Sequence, residues 1–273
     1  MAAERTIGGA TRLAGLVGWP VAHSRSPQMH NAAYAALGLD WAYVAMPVAP
    51  QSLPAALAGL AALGFAGVNV TIPHKGAAAA LCHERSAAAE RARSVNTVLV
   101  GEDGRLRGET TDGDGMLDAI GPLPQGEALV LGAGGGARAA AAALAAAGAE
   151  VAVAARRPQA AVELAAELGV RAESWPPRRS PVLLVNATPV GQAGDAGELP
   201  VDPELLGEVV CDLAYRGDGA ETGLAAAARR RGLRVVDGLD VLVGQGARSF
   251  RLLTGCEPPV EIMRAAVRNR SID

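Results

Sequence analysis

One lysine stands among twenty-four arginines in this chain. Arginine is practically never deprotonated, whereas lysine exchanges a proton when its surroundings tune it. Lys75, in NVTIPHKG (69–76), is therefore a candidate proton carrier, its alternative being a chance surface survivor. Asp112, in GETTDGDG (108–115), reads equally as a helix N-cap and as an acid that sets the proton affinity of a nearby lysine. The stretch GWPVAHSRSPQMHN (18–31) places Ser24 and Ser26 two residues apart. In extended backbone such positions point to one side, so both hydroxyls can address one ligand. Local bonding and capping is the competing account, with Ser26 as N-cap before Pro27. Asparagine is scarce, and four of the five fall in short polar stretches: Asn31, Asn69, Asn96 and Asn186. Three of the four histidines, His23, His30 and His74, do the same. Asn96, in SVNTV (94–98), reads either as a partner for a substrate hydroxyl or as a satisfied strand group.

A second set of residues suits a phosphate-bearing ligand. GAGGGA (132–137) follows an apolar run and opens an alanine-rich one. Gly132, Gly134 and Ala137 give G-x-G-x-x-A, whose small residues let backbone approach a pyrophosphate at a helix N-terminus. A tight strand-to-helix turn is the alternative. At the end of the next apolar run the chain reads AARRP, with no acid to hold ribose hydroxyls. Arg156 and Arg157 suit a 2′-phosphate, which favours NADP over NAD, or else are two solvated arginines.

The elements that must position these groups follow from pattern. Strands are predicted at 13–18, 41–48, 65–71, 94–100 and 104–109, the last two as a hairpin around Asp103-Gly104. Helices are predicted at 26–37, 51–63, 74–82 and from about Asp112. A second series follows: strands at 128–132, 151–155, 182–186, 208–213 and 233–237, with helices to about 147, at 159–168 and at 221–231. This alternation is that of a largely parallel, doubly wound α/β sheet. The proline-rich segment 172–181 reads as a loop, and two closing helices are predicted at 240–253 and 258–268.

Composition narrows the function classes. The chain has 273 residues, about two domains. Half are hydrophobic and only 3% aromatic, so the core is expected from Ala, Val and Leu. A net charge of −3 argues against a nucleic-acid surface. Cys82, Cys211 and Cys256 are well separated, with neither disulfide framework nor zinc spacing, which fits a reducing compartment. No secretory leader or membrane-length apolar run is visible. A soluble cytoplasmic protein that binds neither nucleic acid, membrane nor metal is expected.

Eight stretches, in order over nearly the whole chain, resemble the shikimate dehydrogenase family: GWPVAHSRSPQMHN, NVTIPHK, SVNTV, GETTDGDG, GAGGGARAA, NATPVG (186–191), VVCDLAY (209–215) and DGLDVLVGQGA (237–247). The resemblance implies two α/β domains. An N-terminal substrate domain, 1–112, is completed by C-terminal helices, 239–273. A Rossmann-type NADP-binding domain spans 113–238, and the site is expected in the cleft where the two meet. The implied reaction is reduction of 3-dehydroshikimate to shikimate with NADPH, on the route to chorismate and the aromatic amino acids.

By the same resemblance, Ser24 and Ser26 hold the substrate carboxylate while the His and Asn residues brace their turn. Thr71, Asn96, Asp112 and Gln245 surround the ring hydroxyls, Tyr215 lies near substrate and nicotinamide, and Lys75 with Asp112 forms the catalytic pair. The implied cofactor contacts are Gly132, Ala133, Gly134, Gly135, Gly136, Ala137, Arg156, Arg157, Thr188, Leu213 and Gly238. No metal is needed, and a homodimer is compatible with the class. The chain departs from the family's usual residues at Thr110, Ala155, Ala160, Gly217, Asp240 and Val241. Three other readings stand beside this one: a quinate dehydrogenase, an amino-shikimate dehydrogenase, and a non-catalytic NADP or shikimate sensor.

Overall fold

The computed structural model describes residues 7–192 and 199–268. The chain divides into two compact units: one runs up to Thr111 and resumes at Gly246, and the other is Asp112–Gln245. The second crossing falls inside a helix, beyond the 238/239 boundary expected from sequence.

The first unit is built on β1 (Arg12–Gly18), α1 (Ser26–Ala36), β2 (Trp41–Pro47), α2 (Leu53–Ala62), β3 (Gly67–Val70), α3 (Lys75–Leu81), β4 (Glu84–Arg85), α4 (Ala87–Ala92), β5 (Thr97–Val100) and β6 (Leu106–Glu109). Its sheet has the order β2-β1-β3-β5-β6-β4. The expected hairpin forms, and β5 runs antiparallel to both β3 and β6, so the sheet is mixed. The short β4 and α4 were not expected, because CHERSAAAERA carries no hydrophobic period. A local signal for α4 exists nonetheless: Ser86 caps it, its hydroxyl accepting from Ala89 N at 3.3 Å.

One helix start differs from expectation. Arg25, not Ser26, holds the N-cap position of α1, and Ser26 is already its first helical residue with Pro27 beside it. Proline suits this first turn because its missing N–H has no intrahelical partner there.

The second unit comprises α5 (Asp112–Ile120), β7 (Glu127–Leu131), α6 (Gly135–Ala146), β8 (Glu150–Ala154), α7 (Pro158–Leu168), β9 (Arg171–Ala172), β10 (Leu183–Asn186), β11 (Val209–Asp212), α8 (Gly223–Arg230) and β12 (Arg234–Val236). Two helices follow, α9 (Gly238–Thr254) and α10 (Val260–Arg268), and the chain re-enters the first unit within α9. The start of the segment expected to be loop, 172–181, belongs to β9, which pairs with β8. All pairings in this sheet are parallel, in the order β12-β11-β10-β7-β8-β9. That is the doubly wound dinucleotide-fold order, with its reversal between β7 and β10.

Alternate strand residues serve opposite faces of this sheet, as the period of two requires. Ala128, Val130, Val151, Val153 and Val185 pack with α5, α6 and α7 on one face. Leu129, Leu131, Ala152, Leu184 and Val210 pack with α8 on the other. Ala137, Ala140, Ala141 and Leu144 of α6 are all buried. Alanine forms helix at no side-chain entropy cost, and its small volume lets a helix lie close to the sheet. Among the described residues no helix is long and apolar enough to cross a membrane.

Candidate active site

Topology collects the polar residues of the first unit. β1 and β3 are parallel neighbours, so their C-terminal ends share one edge. β5 begins at that edge and β6 ends there. Ser24 and Ser26 follow β1, Thr71 and Lys75 follow β3, Asn96 precedes β5, and Thr111 follows β6. Backbone hydrogen bonds stitch these ends together: Thr71 N to Val17 O at 2.9 Å, Trp19 N to Ile72 O at 3.0 Å, Val70 N to Asn96 O at 2.8 Å and Val95 N to Lys75 O at 3.1 Å.

Lys75 opens α3 and is half-buried. His74 before it is buried, and its Nε2 donates to Val48 O at 2.7 Å. The lysine backbone is thus fixed on both sides, toward β2 through His74 and toward Asn96 through Val95.

The paired serines are not held as extended backbone would hold them. Arg25 between them has φ −92° and ψ 1°, a turn conformation, so the two-residue period does not apply. Ser24 Oγ instead accepts from Ser26 N at 3.2 Å. Arg25 anchors this turn by donating from Nη1 to Val267 O of α10 at 2.7 Å.

The histidine and asparagine that follow are structural. Asn31 Nδ2 donates to Tyr43 O at 2.9 Å, and Tyr43 N donates to Asn31 Oδ1 at 3.0 Å. His30 is fully buried and stacks on Tyr43, centroids 4.3 Å apart. Burial pushes its pKa down to about 3, which keeps the ring neutral. His23 is exposed.

Asn96 is buried and tied to Thr111. Its Nδ2 donates to Thr111 Oγ1 at 2.9 Å, and Thr111 N donates to its Oδ1 at 2.8 Å. Behind it, Tyr43 Oη donates to Asn69 Oδ1 at 2.7 Å, and Asn69 Nδ2 donates to Thr97 Oγ1 at 3.0 Å. Scarcity of asparagine points to Asn69 and Asn96, and tyrosine is scarcer still with three in the chain, but Thr111 carries no comparable signal.

The second unit gathers the glycine turn and the strand-end motifs. Gly132 follows β7 with φ +114°, a backbone that side chains rarely adopt. Gly134 holds the N-cap position of α6 without a side-chain cap, and a Cβ built there meets nothing within 4 Å. The turn therefore presents free backbone N–H groups and open space, which is what a pyrophosphate needs. Ala133, Gly135, Gly136 and Ala137 complete this turn and the first residues of α6. The turn lies at the strand-order reversal, beside the loop after β10 that carries Thr188.

Leu213 and Tyr215, both half-buried, follow β11, and Gly238 opens α9. Arg156 and Arg157 are exposed directly after β8, with Arg157 at the N-cap position of α7. These residues fit a dinucleotide with an extra phosphate. Asp112 is the first residue of α5, one position after Thr111, and Asp114 shares its first turn. Gln245 Nε2 donates to Leu242 O at 2.8 Å.

Thiol and metal chemistry find less support. Burial pushes the Cys82 thiol up to about 11 and the Cys211 thiol higher still, so neither is a ready nucleophile. Among the described residues no three His, Cys, Asp or Glu come together as a metal-holding group.

The family described as "Shikimate dehydrogenase substrate binding domain" matches residues 16–98, and "Shikimate 5'-dehydrogenase C-terminal domain" matches 238–268. Shikimate dehydrogenase (NADP(+)) of Rubrobacter xylanophilus is 48% identical, over 96% of this chain and 97% of that one. The protein of the same name from Anaeromyxobacter dehalogenans is 44% identical, over 97% and 98%. Shikimate 5-dehydrogenase from Thermus thermophilus, solved in complex with NADP(H) and shikimate, superposes with a TM-score of 0.88 at 44% identity, covering 94% of this chain and 98% of that one.

Proposed function

The chain belongs to the shikimate dehydrogenase family, and from that premise we propose that it performs the family's reaction through Lys75 and Asp112. It is an NADP-dependent oxidoreductase acting on a CH–OH group, and it reduces 3-dehydroshikimate reversibly to shikimate on the route to chorismate and the aromatic amino acids. The observation that carries the residue assignment is the single lysine. Lys75 sits on a backbone fixed beside Asn96, at the sheet edge that also carries Ser24, Ser26 and Thr71.

NADPH, when bound, supplies the hydride for the carbonyl carbon. Lys75 Nζ gives its proton to the carbonyl oxygen in reduction and takes the hydroxyl proton in oxidation. Asp112 orients the lysine. Ser24 and Ser26 donate their hydroxyls to the substrate carboxylate, and Thr71, Asn96, Tyr215 and Gln245 recognise the ring and its hydroxyls. We assign the cofactor to the unit Asp112–Gln245. Gly132 to Ala137 face the pyrophosphate, Arg156 and Arg157 the 2′-phosphate, and Thr188, Leu213 and Gly238 the nicotinamide half. The three cysteines are free thiols, which supports a cytoplasmic location. A homodimer is the assembly to test by sedimentation.

The deciding experiment measures initial rates with shikimate or quinate, each against NADP⁺ or NAD⁺. The expected result is turnover mainly with shikimate and NADP⁺. Preference for quinate or NAD⁺ moves the chain to a sister activity, and silence in all four with binding retained makes it a sensor.

A further inference from the structure

We propose that Asn186, Asp212 and Thr222 form a positioning device that sets the two NADP-binding loops after β10 and β11 as one piece. None of the three is assigned a contact with cofactor or substrate. Asn186 and Asp212 are the last residues of adjacent parallel strands and stand directly opposite each other in register. Both are fully buried. Asn186 Nδ2 donates to Asp212 Oδ1 at 2.8 Å.

Each of the pair also holds its own loop. Asn186 Oδ1 accepts from Thr188 N at 3.0 Å and from Thr188 Oγ1 at 2.6 Å. Asp212 Oδ1 accepts from Ala214 N at 3.0 Å. One amide and one carboxylate therefore fix the first residues of both loops, on which Thr188, Leu213 and Tyr215 are carried. Thr222 locks the far side of the carboxylate, its Oγ1 donating to Asp212 Oδ2 at 2.6 Å. Thr222 Oγ1 also accepts from Ala225 N at 3.2 Å, which caps α8.

A purely structural acid at this place is hard to justify on energetic grounds. A buried carboxylate needs several donors to remain there, and replacing such a polar set with apolar side chains is often neutral or stabilising. What the set supplies is direction. Each of its bonds ends on a loop residue or a helix start that frames the strand ends at the reversal of the sheet. Two N–H donors meet Asp212 Oδ1 and one hydroxyl meets Oδ2, and all three favour the ionised carboxylate. Burial, aided by Asp237, raises its pKa to about 6 against the pull of those donors. The charged group that acts on it is Asp237, which is itself ion-paired with Arg229.

The proposal rests on the NADP reading above, and its test is direct binding. NADP⁺ and shikimate are titrated separately into the full chain by calorimetry, for wild type, Thr222→Val, Thr222→Ser and Asn186→Ala. Thr222→Val removes the lock, Thr222→Ser restores it, and Asn186→Ala cuts the link while leaving the α8 cap in place. The expected result is NADP⁺ binding weakened about tenfold or more in Thr222→Val and Asn186→Ala. Thr222→Ser stays within about twofold of wild type, and shikimate binding is unchanged throughout. NADP⁺ affinity within twofold of wild type in whichever of Thr222→Val and Asn186→Ala folds overturns the proposal. So does an equal loss for both ligands. A wild-type chain that binds NADP⁺ without turnover overturns the reading of function alone, and one that fails to bind NADP⁺ overturns both.

Discussion

Thr111 and Asn96 hold each other through the threonine amide, which donates to Asn96 Oδ1, and the threonine hydroxyl, which accepts from Asn96 Nδ2 and lies 3.3 Å from Asn96 Oδ1. The pair joins the residue expected to meet a substrate hydroxyl to the position just before Asp112. Thr111→Val keeps the amide bond and the volume but takes away the hydroxyl. Asn96 Nδ2 then loses a buried acceptor, a loss of about 1–3 kcal/mol. The expected outcome is a shikimate KM raised about tenfold with the NADP⁺ KM unchanged, and recovery in Thr111→Ser. A rise in both KM values would mean general loosening instead.

Lys75 allows a sharper separation of binding from chemistry. Lys75→Ala and Lys75→Arg are both expected to reduce kcat by about 10²–10⁴-fold, the range for loss of a general acid–base group. Arginine keeps the positive charge but does not give up its proton at working pH. Shikimate binding, read by calorimetry, is expected to remain measurable in both. Near-normal turnover in Lys75→Arg would show that the lysine contributes charge only.

What could be read from sequence was what is local. GAGGGA between a strand and a helix shows its turn in six consecutive residues, and Arg156 and Arg157 follow their strand directly. The His and Asn residues were expected to brace the serine turn; His30 and Asn31 instead grip Tyr43 of β2, His23 is exposed, and it is Arg25 that ties the turn to α10. The clasps were not legible. Asn96 and Thr111 are fifteen residues apart, and Asn186 and Asp212 twenty-six. Such pairs exist only once strand order and register bring them opposite each other. Scarcity marked one member of each clasp, the asparagine, but threonine and aspartate are too common to stand out. Ser24 and Ser26 teach a related lesson. Their spacing suits a strand rule, yet they lie in a turn, joined by a bond from the Ser26 amide to the Ser24 hydroxyl.

His30 makes the stability of the first unit sensitive to acid. Both ring nitrogens are buried without a hydrogen-bond partner, among Tyr34, Tyr43 and Phe250. Its folded pKa, about 3, lies below the ordinary 6.5. Between those values the unfolded chain binds more protons, so stability falls as pH falls from 6.5 toward 3. By pH 4.5 the loss is about 2–3 kcal/mol. His30→Phe keeps the stack and removes the titration. Urea midpoints at pH 7 and pH 4.5 are expected to differ less in the variant than in wild type. Equal differences would place the acid sensitivity elsewhere.

On the proposed reading, the arginine pair after β8 carries the choice between cofactors. Arg156 and Arg157 are exposed, and Ala155 before them is buried, so the pair has no acid at the strand end to oppose it. A charge-assisted bond to a 2′-phosphate contributes about 1.5–3 kcal/mol, roughly a tenfold to hundredfold preference. NAD⁺ lacks that phosphate and gains nothing from it. Arg156→Ala and Arg157→Ala are therefore expected to lower kcat/KM for NADP⁺ and leave kcat/KM for NAD⁺ nearly unchanged. The variant with the larger fall identifies the arginine that bonds the phosphate directly. Arg157 also holds the N-cap position of α7 without a side-chain cap, so its removal leaves that helix start as it is, and a change in cofactor preference reads as a lost phosphate contact. Equal falls for NADP⁺ and NAD⁺ would show instead that the arginines act on the dinucleotide through their field alone.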